Sequence, residues 1–159
     1  MSDVQQVIFR KLQESDAEDL LAFLPDVLSG SWTRSSLLAS TWQQRVLVCD
    51  QTPDSVAGYA EFYFVTDECH LLNIAIRPCN QSSGFGTRLL QFVLEEASEA
   101  GCTRCLLEVR ASNAASIAFY EKAGFVRAGS RKDYYPAQVE PSKSTAARED
   151  ALLYSLSFC

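Results

Sequence analysis

Histidine is almost missing from this chain: His70 stands alone among 159 residues. The cysteines are Cys49, Cys69, Cys79, Cys102, Cys105 and Cys159, and no second cysteine pair or histidine pair stands at zinc spacing beside the Cys102–Cys105 CxxC. No metal site is therefore expected, and the cysteines read as free thiols, with a redox or metal role for the CxxC as the lesser alternative. No run approaches the roughly 18 apolar residues of a membrane span. The opening MSDVQQVIFRK has no apolar stretch behind a basic start, so neither a membrane anchor nor a secretion signal is expected. Unpatterned cysteines without such a signal fit a reducing cytoplasm. Positive charge is short as well. The net charge of -6 argues against nucleic acid as a direct partner. It would suit a basic peptide or protein, although mild acidity is also ordinary for a cytoplasmic protein.

With 47% hydrophobic residues the chain can bury a core without staples, and one domain over 1–159 is expected. VIFRKLQ (7–13) reads as a first strand. Ser15 followed by Glu18 reads as a capping box for a helix carrying Leu20, Leu21, Leu24 and Leu28, which Pro25 breaks or ends. A second short helix starts after Ser31 or Thr33. RVLVCD (45–50), VAGYAEFYFV (56–65) and CHLLNIAI (69–76) read as strands, with TPDS and TDE as hairpin loops between them. A helix to Ala100 follows, with an inward stripe of Phe85, Leu89, Phe92 or Val93, and Ala97, and Gly101 as its C-cap. CTRCLLEVR (102–110) is a strand. The next helix is capped by Ser112 or Asn113 and closed by Gly124. FVRAGSRKDYY and ALLYSLSF (151–158) are the last strands, and the polar segment 136–150 reads as a mobile loop. The order β-α-α-β-β-β-α-β-α-β-β predicts a mixed α/β (α+β) sheet flanked by helices on both faces.

Gly84 and Gly86 stand where a strand ending at Ile76 turns into a helix. Free N–H groups and the helix dipole make such a start an anion site, and glycine lets a ligand approach the backbone. The anion expected is a pyrophosphate. A dinucleotide fingerprint needs a third glycine where Leu89 stands, and the P-loop pattern GxxxxGK[ST] is absent.

The stretch Q81-S-S-G84-F-G86 resembles the Q/R-x-x-G-x-G/A signature of the GNAT N-acetyltransferase family. LLNIAI (71–76), LEVRASNAASIAFYEKAGF (107–125), RKDYYP (131–136) and REDALLYSL (148–156) are similar to the branch of that family that acetylates the N-terminal alanine of a small-subunit ribosomal protein. The resemblance implies the GNAT fold and acetyl-CoA as cosubstrate. Gln81, Ser82, Ser83, Gly84, Phe85, Gly86 and Thr87 would cradle its pyrophosphate. The backbone of Ile74, Ala75 and Ile76 would pair with its pantetheine arm, and an N–H of Ile74 or a neighbour would polarise the acetyl carbonyl. Asn113 and Tyr120 would also touch it.

Transfer to an amine needs a base, a polarised carbonyl and an acid for the leaving thiolate. At neutral pH about a tenth of terminal α-amines are already unprotonated, against about one lysine in a few thousand, so an N-terminal acceptor asks less of the base. Leu107 and Val109 share one face of their strand, while Leu106, Glu108 and Arg110 share the other. Glu108 is thus a carboxylate in an apolar strand, where burial would tune it as base, directly or through water. The bland alternative is a half-exposed partner for Arg110. Tyr120 lies two helical turns beyond Asn113 on the same side, where its phenol could protonate the thiolate or simply pack in the core. The resemblance points to the same base and acid. It also implies that Trp32 forms one wall of the acceptor site, and Tyr134 and Tyr135 the other. Glu61 and Asp133 could attract a basic peptide.

Ser82 and Ser83 stand where the family often has cationic or amide residues, and the 136–150 loop is longer than in that branch. No cysteine lies in the matched block, so direct transfer in a ternary complex is expected. The reading is acetyl transfer to the α-amine of a protein, a basic ribosomal protein foremost. The alternatives are a lysine or small-molecule amine as acceptor, and a non-catalytic CoA-binding module.

Overall fold

A computed structural model describes residues 5–28, 30–49, 52–136 and 148–158. Within them the elements run β1 (Val7–Lys11), α1 (Ala17–Leu21), α2 (Leu24–Val27), α3 (Arg34–Leu38), β2 (Gln43–Cys49), β3 (Thr52–Val65), β4 (Glu68–Ile76), α4 (Phe85–Glu99), β5 (Arg104–Arg110), α5 (Ala114–Lys122), β6 (Val126–Pro136) and β7 (Arg148–Ser157). The strands form one sheet in the order β1-β2-β3-β4-β5-β7-β6. Every pairing is antiparallel except β4 with β5, which is parallel. No helix among these residues is long and apolar enough to cross a membrane.

Strand alternation divides the core into two layers. Leu47, Ala60, Phe62 and Leu71 face α4, whose buried stripe is Phe85, Leu89, Leu90, Val93 and Ala97. Val46, Val48, Val56 and Tyr59 face the opposite way, under Leu20, Phe23, Leu24 and Leu37 of the short helices. Phe92 is only partly buried and stacks on Phe9 at 4.6 Å, so Val93 holds the inward position and Leu90 joins it. The CxxC stands as two buried free thiols, Cys102 and Cys105. A hydrogen bond with the neighbouring Cys69, together with burial, pushes the Cys105 thiol up, the reverse of a reactive thiolate.

Several local expectations are corrected. Ser15 is not a cap: it lies inside a 3-10 turn, Glu14–Asp16, which the Asp16 carboxylate closes by accepting the Gln13 N–H at 2.7 Å. Pro25 sits in the first turn of α2, where its missing N–H costs nothing, so it opens a second helix after the first has ended at Leu21. Thr33, not Ser31, caps α3, in a reciprocal box with Ser36. TPDS (52–55) is strand, continuous with β3, and not a hairpin loop; residues 50 and 51 lie outside the described residues. The loop expected over 136–150 is cut back at both ends, since β6 runs through Pro136 and β7 begins at Arg148; residues 137–147 lie outside the described residues.

The feature that positions the site is a parting of strands. β4 pairs with β5 only from Glu68↔Arg104 to Leu71↔Leu107. At that point β4 carries a bulge: Phe62 pairs with Leu71 and Glu61 with Asn73, leaving Leu72 unmatched. Beyond it β4 stays with β3 to Ile76 and β5 stays with β7 to Arg110. A bulge bends its strand and twists it away from a neighbour, which opens the sheet.

Candidate active site

Two cavities meet at Glu108, the first in the opening between β4 and β5 and the second over the stretch where these strands still pair. The first, of about 410 Å³, is lined by Ile74, Arg110, Asn113, Ser116, Tyr120 and Tyr135, among others. The second, of about 440 Å³, is lined by Tyr63, His70, Leu106, Arg131, Tyr134 and Leu153, among others. Leu72, Glu108 and Tyr135 line both. A strand that alternates buried Leu107 and Val109 with half-buried Glu108 puts one carboxylate at the junction.

Glu108 is not desolvated as expected. Its side chain is 30% exposed and its Oε1 lies 3.1 Å from Nε of Arg131. Arg110, the partner the sequence offered, instead pairs with Glu149 at 3.5 Å and lies over the Tyr135 ring at 4.5 Å. Burial, with the charge of Glu108 nearby, pushes the Tyr135 phenol up. Tyr134 packs edge-on to Tyr135 at 4.9 Å and lies beneath Arg131. The two tyrosines thus stand together on one wall.

Asn113 and Tyr120 share the side of α5 that faces the first cavity. Asn113 also caps the helix, its Oδ1 accepting the Ser116 N–H at 3.1 Å, which leaves its amide N–H groups for a ligand. The Tyr120 ring packs near Phe119 and Phe125, and burial raises its phenol above the ordinary range. It is therefore a protonated donor at neutral pH.

The glycine loop meets the helix as expected, for two different reasons. Gly84 is the N-cap of α4 at φ +83°, a left-handed conformation that favours glycine. A Cβ on Gly86 would stand 3.5 Å from the Phe119 ring, ordinary contact, so nothing in the protein excludes one. The first intrahelical bond is Arg88 N–H to Gly84 O, at 3.1 Å, so the N–H groups of Phe85, Gly86 and Thr87 have no intrahelical carbonyl. Phe85 turns its ring into the core. Ser82 has φ +63°, Ser83 Oγ donates to Asn80 O, and Gln81 Nε2 donates to Ile76 O at 3.0 Å. These side chains hold the loop's shape, while the first N–H groups of α4 have no intrahelical partner. Free β4 backbone over Ile74, Ala75 and Ile76, a long cleft and unpaired N–H groups at a helix start fit an extended ligand with a pyrophosphate.

Trp32 stands apart from this cleft. It packs edge-on against Tyr59 at 6.2 Å and lines a separate cavity with Glu61 and Asn73. Asp133 is exposed, at φ +52° in an irregular stretch of β6, its N–H bound to Asp150 Oδ1. Sequence reasoning missed Arg131 and the Tyr63–His70 stack at 4.8 Å, both on walls of the second cavity. Strand register would have paired Tyr63 with His70, but Arg131 reaches Glu108 across an irregular β6 that no local pattern marks.

Residues 10–125 match the family model described as the acetyltransferase (GNAT) family. The [ribosomal protein bS18]-alanine N-acetyltransferase of Escherichia coli is 39% identical over 126 residues, covering 79% of this chain and 80% of that protein. The enzyme of the same description from Haemophilus influenzae is 40% identical over 100 residues, covering 63% of this chain and 64% of that one. The crystal structure of the ribosomal-protein-alanine N-acetyltransferase from Escherichia coli superposes with a TM-score of 0.78 at 30% identity, covering 96% of this chain and 94% of that one.

Proposed function

Because the chain belongs to the GNAT family of acetyltransferases, we propose that it moves an acetyl group from acetyl-CoA to the α-amine of a protein whose first residue is alanine, a basic ribosomal protein foremost. The observation that carries the reading is the placing of Glu108 where two cavities meet, one lined by Asn113 and Tyr120 and the other by Tyr134 and Arg131. One cavity suits the thioester arm and the other the acceptor. The names and substrates of the 39% identical relatives support the choice of acceptor.

Acetyl-CoA supplies an activated thioester. Gln81, Ser82, Ser83, Gly84, Phe85, Gly86 and Thr87 hold its pyrophosphate, chiefly through backbone N–H groups. The β4 backbone of Ile74, Ala75 and Ile76 takes the extended arm, and an N–H of Ile74 or a neighbour stabilises the developing oxyanion. Glu108 accepts the ammonium proton, directly or through one water. Tyr120 donates its phenolic proton to the departing sulfur. Tyr134 and Tyr135 hold the acceptor's first residues, with Trp32 farther along the same face. The pairing of Glu108 with Arg131 keeps the carboxylate aimed at the junction.

Turnover is read as free thiol release with two peptides of one sequence beginning Ala-Arg. One has a free N-terminus; the other is blocked and carries an internal lysine. Turnover of the first alone is the expected result. Turnover of the lysine peptide alone moves the acceptor to side-chain amines. Loss of both, with acetyl-CoA still raising the melting temperature, points to small amines or to a non-catalytic CoA-binding protein.

A further inference from the structure

Beside the transfer cleft lies a third cavity, of about 400 Å³, walled by Trp32, Leu37, Ser40, Trp42, Glu61 and Asn73, among others. It adjoins the first cavity through Asn73, which lines both, and its Trp42 packs on Tyr63 of the second at 4.5 Å. Glu61 is its sole charged lining residue. The carboxylate is half-buried and held from several sides. Ser40 Oγ donates to Oε2 at 2.9 Å and Tyr59 OH to the same oxygen at 3.1 Å. Asn73 Nδ2 donates to Oε1 at 3.1 Å, and Gln44 Nε2 stands 3.4 Å from Oε2.

All four donors are neutral. Among the described residues no lysine, arginine or histidine lies within ion-pair distance of Glu61, although eight other ion pairs are formed. Half-buried carboxylates are ordinarily matched by a cation. Here the position of the charge is fixed and the charge itself has no counterpart. Register explains the placing: Glu61 lies opposite Asn73 across the β3–β4 pair, next to the bulge that opens the sheet. The walls suit a long cationic side chain. Trp32 and Trp42 offer aromatic surface to an alkyl stem or a guanidinium plane.

We propose that this cavity receives an arginine or lysine side chain of the acceptor, close behind the amine that is acetylated, and that Glu61 is the specificity-determining residue. The inference rests on the α-amine reading above, and its test separates the two. Acetylated product peptides beginning Ac-Ala are titrated into the CoA-loaded protein, with a single arginine placed at position two, three or four and replaced in turn by glutamine. Wild type should prefer arginine by about tenfold at one position, as for one charge-assisted contact. Glu61→Gln should bring that ratio close to one, and Glu61→Lys should turn it toward a glutamate at the same position. A wild-type ratio near one at all three positions overturns the proposal, as does a preference that survives in Glu61→Gln. If that variant does not fold, the wild-type series decides through salt. A preference that shrinks between low and high salt supports the pairing, and one that ignores salt overturns it. Thiol release from the free α-amine peptides is measured beside the binding. Glu61-dependent binding without turnover supports this cavity while removing the α-amine reading.

Discussion

Glu108 Oε1 and Arg131 Nε stand 3.1 Å apart, joining the middle of β5 to β6 across the intervening β7. The contact crosses two strand pairings, so it is made by the sheet and not by any local segment. It fixes a carboxylate at the parting of β4 and β5, where the two cavities of the cleft meet. The carboxylate is held by one cation and is still 30% exposed, so water reaches it.

Glu108→Gln keeps the volume of the side chain and cannot take up a proton. The proposed role requires kcat to fall by about a hundredfold to a thousandfold. The KM for acetyl-CoA should change little, because the contacts proposed for the pyrophosphate and the arm lie elsewhere. Initial rates of thiol release at saturating peptide check this. A rate within threefold of wild type would remove Glu108 as base.

Tyr120→Phe removes one hydroxyl and keeps the ring beside Phe119 and Phe125. The melting temperature should stay within a few degrees while kcat falls by roughly tenfold to a hundredfold. Burial raises this phenol, as burial and the charge of Glu61 raise that of Tyr59. The sign for stability follows. Each contribution is complete below the unfolded tyrosine value of about 10 and is lost as pH rises from there toward the raised folded value. Stability should therefore begin to fall above about pH 10, and Tyr120→Phe should fall less steeply. Melting curves of both proteins between pH 8 and about 11 check the slope.

The sheet was legible in the sequence because its strands alternate, and the start of α5 because Asn113 and Gly124 bracket an apolar run. The first helix was not. Ser15 and Glu18 have the spacing of a capping box, but the bidentate hold of Arg10 on Asp16 draws the chain into a 3-10 turn first. Tertiary contact overrode local propensity there. Helical and strand periods turn Asn113, Tyr120 and Glu108 toward one cavity, while the roles proposed for them rest mostly on the resemblance. Arg131 was not legible, since the irregularity between Arg131 and Tyr135 shifts the register of β6. Trp32 rests on the resemblance alone as an acceptor wall, and the structure sets it in a cavity beside the cleft.

The two loop glycines should separate under substitution. Gly84→Ala places a Cβ at φ +83° with nothing within 4 Å of it. The cost is conformational, about 1 kcal/mol, and should lower the melting temperature by a few degrees. Gly86→Ala puts a Cβ in ordinary contact with the Phe119 ring and Ile76 and should leave the melting temperature close to wild type. If the backbone here receives a pyrophosphate, Gly86→Ala should nonetheless raise the KM for acetyl-CoA several-fold. Equal KM values for wild type and Gly86→Ala would place the phosphates elsewhere.

Asp16 is the sole charged residue that is fully buried among the described residues. Burial opposes its ionised form, but both guanidinium arms of Arg10, each at 2.8 Å, and the Gln13 N–H at 2.7 Å outweigh that and hold the carboxyl below its ordinary range. A lowered folded value means that the contribution is present above the unfolded value of about 3.9 and is lost as pH falls through the folded one. Asp16→Asn breaks the pair and leaves Arg10, 25% exposed, without its counter-charge. Partial exposure of the arginine reduces the usual penalty for a broken buried pair to about 2 kcal/mol. At neutral pH this should lower the melting temperature by roughly 4–8 °C. As pH drops below about 3 the two proteins should converge, because wild type loses the same charge by protonation. A gap that stayed constant down to the acid limit would assign the loss to packing of the first turn and not to the ion pair.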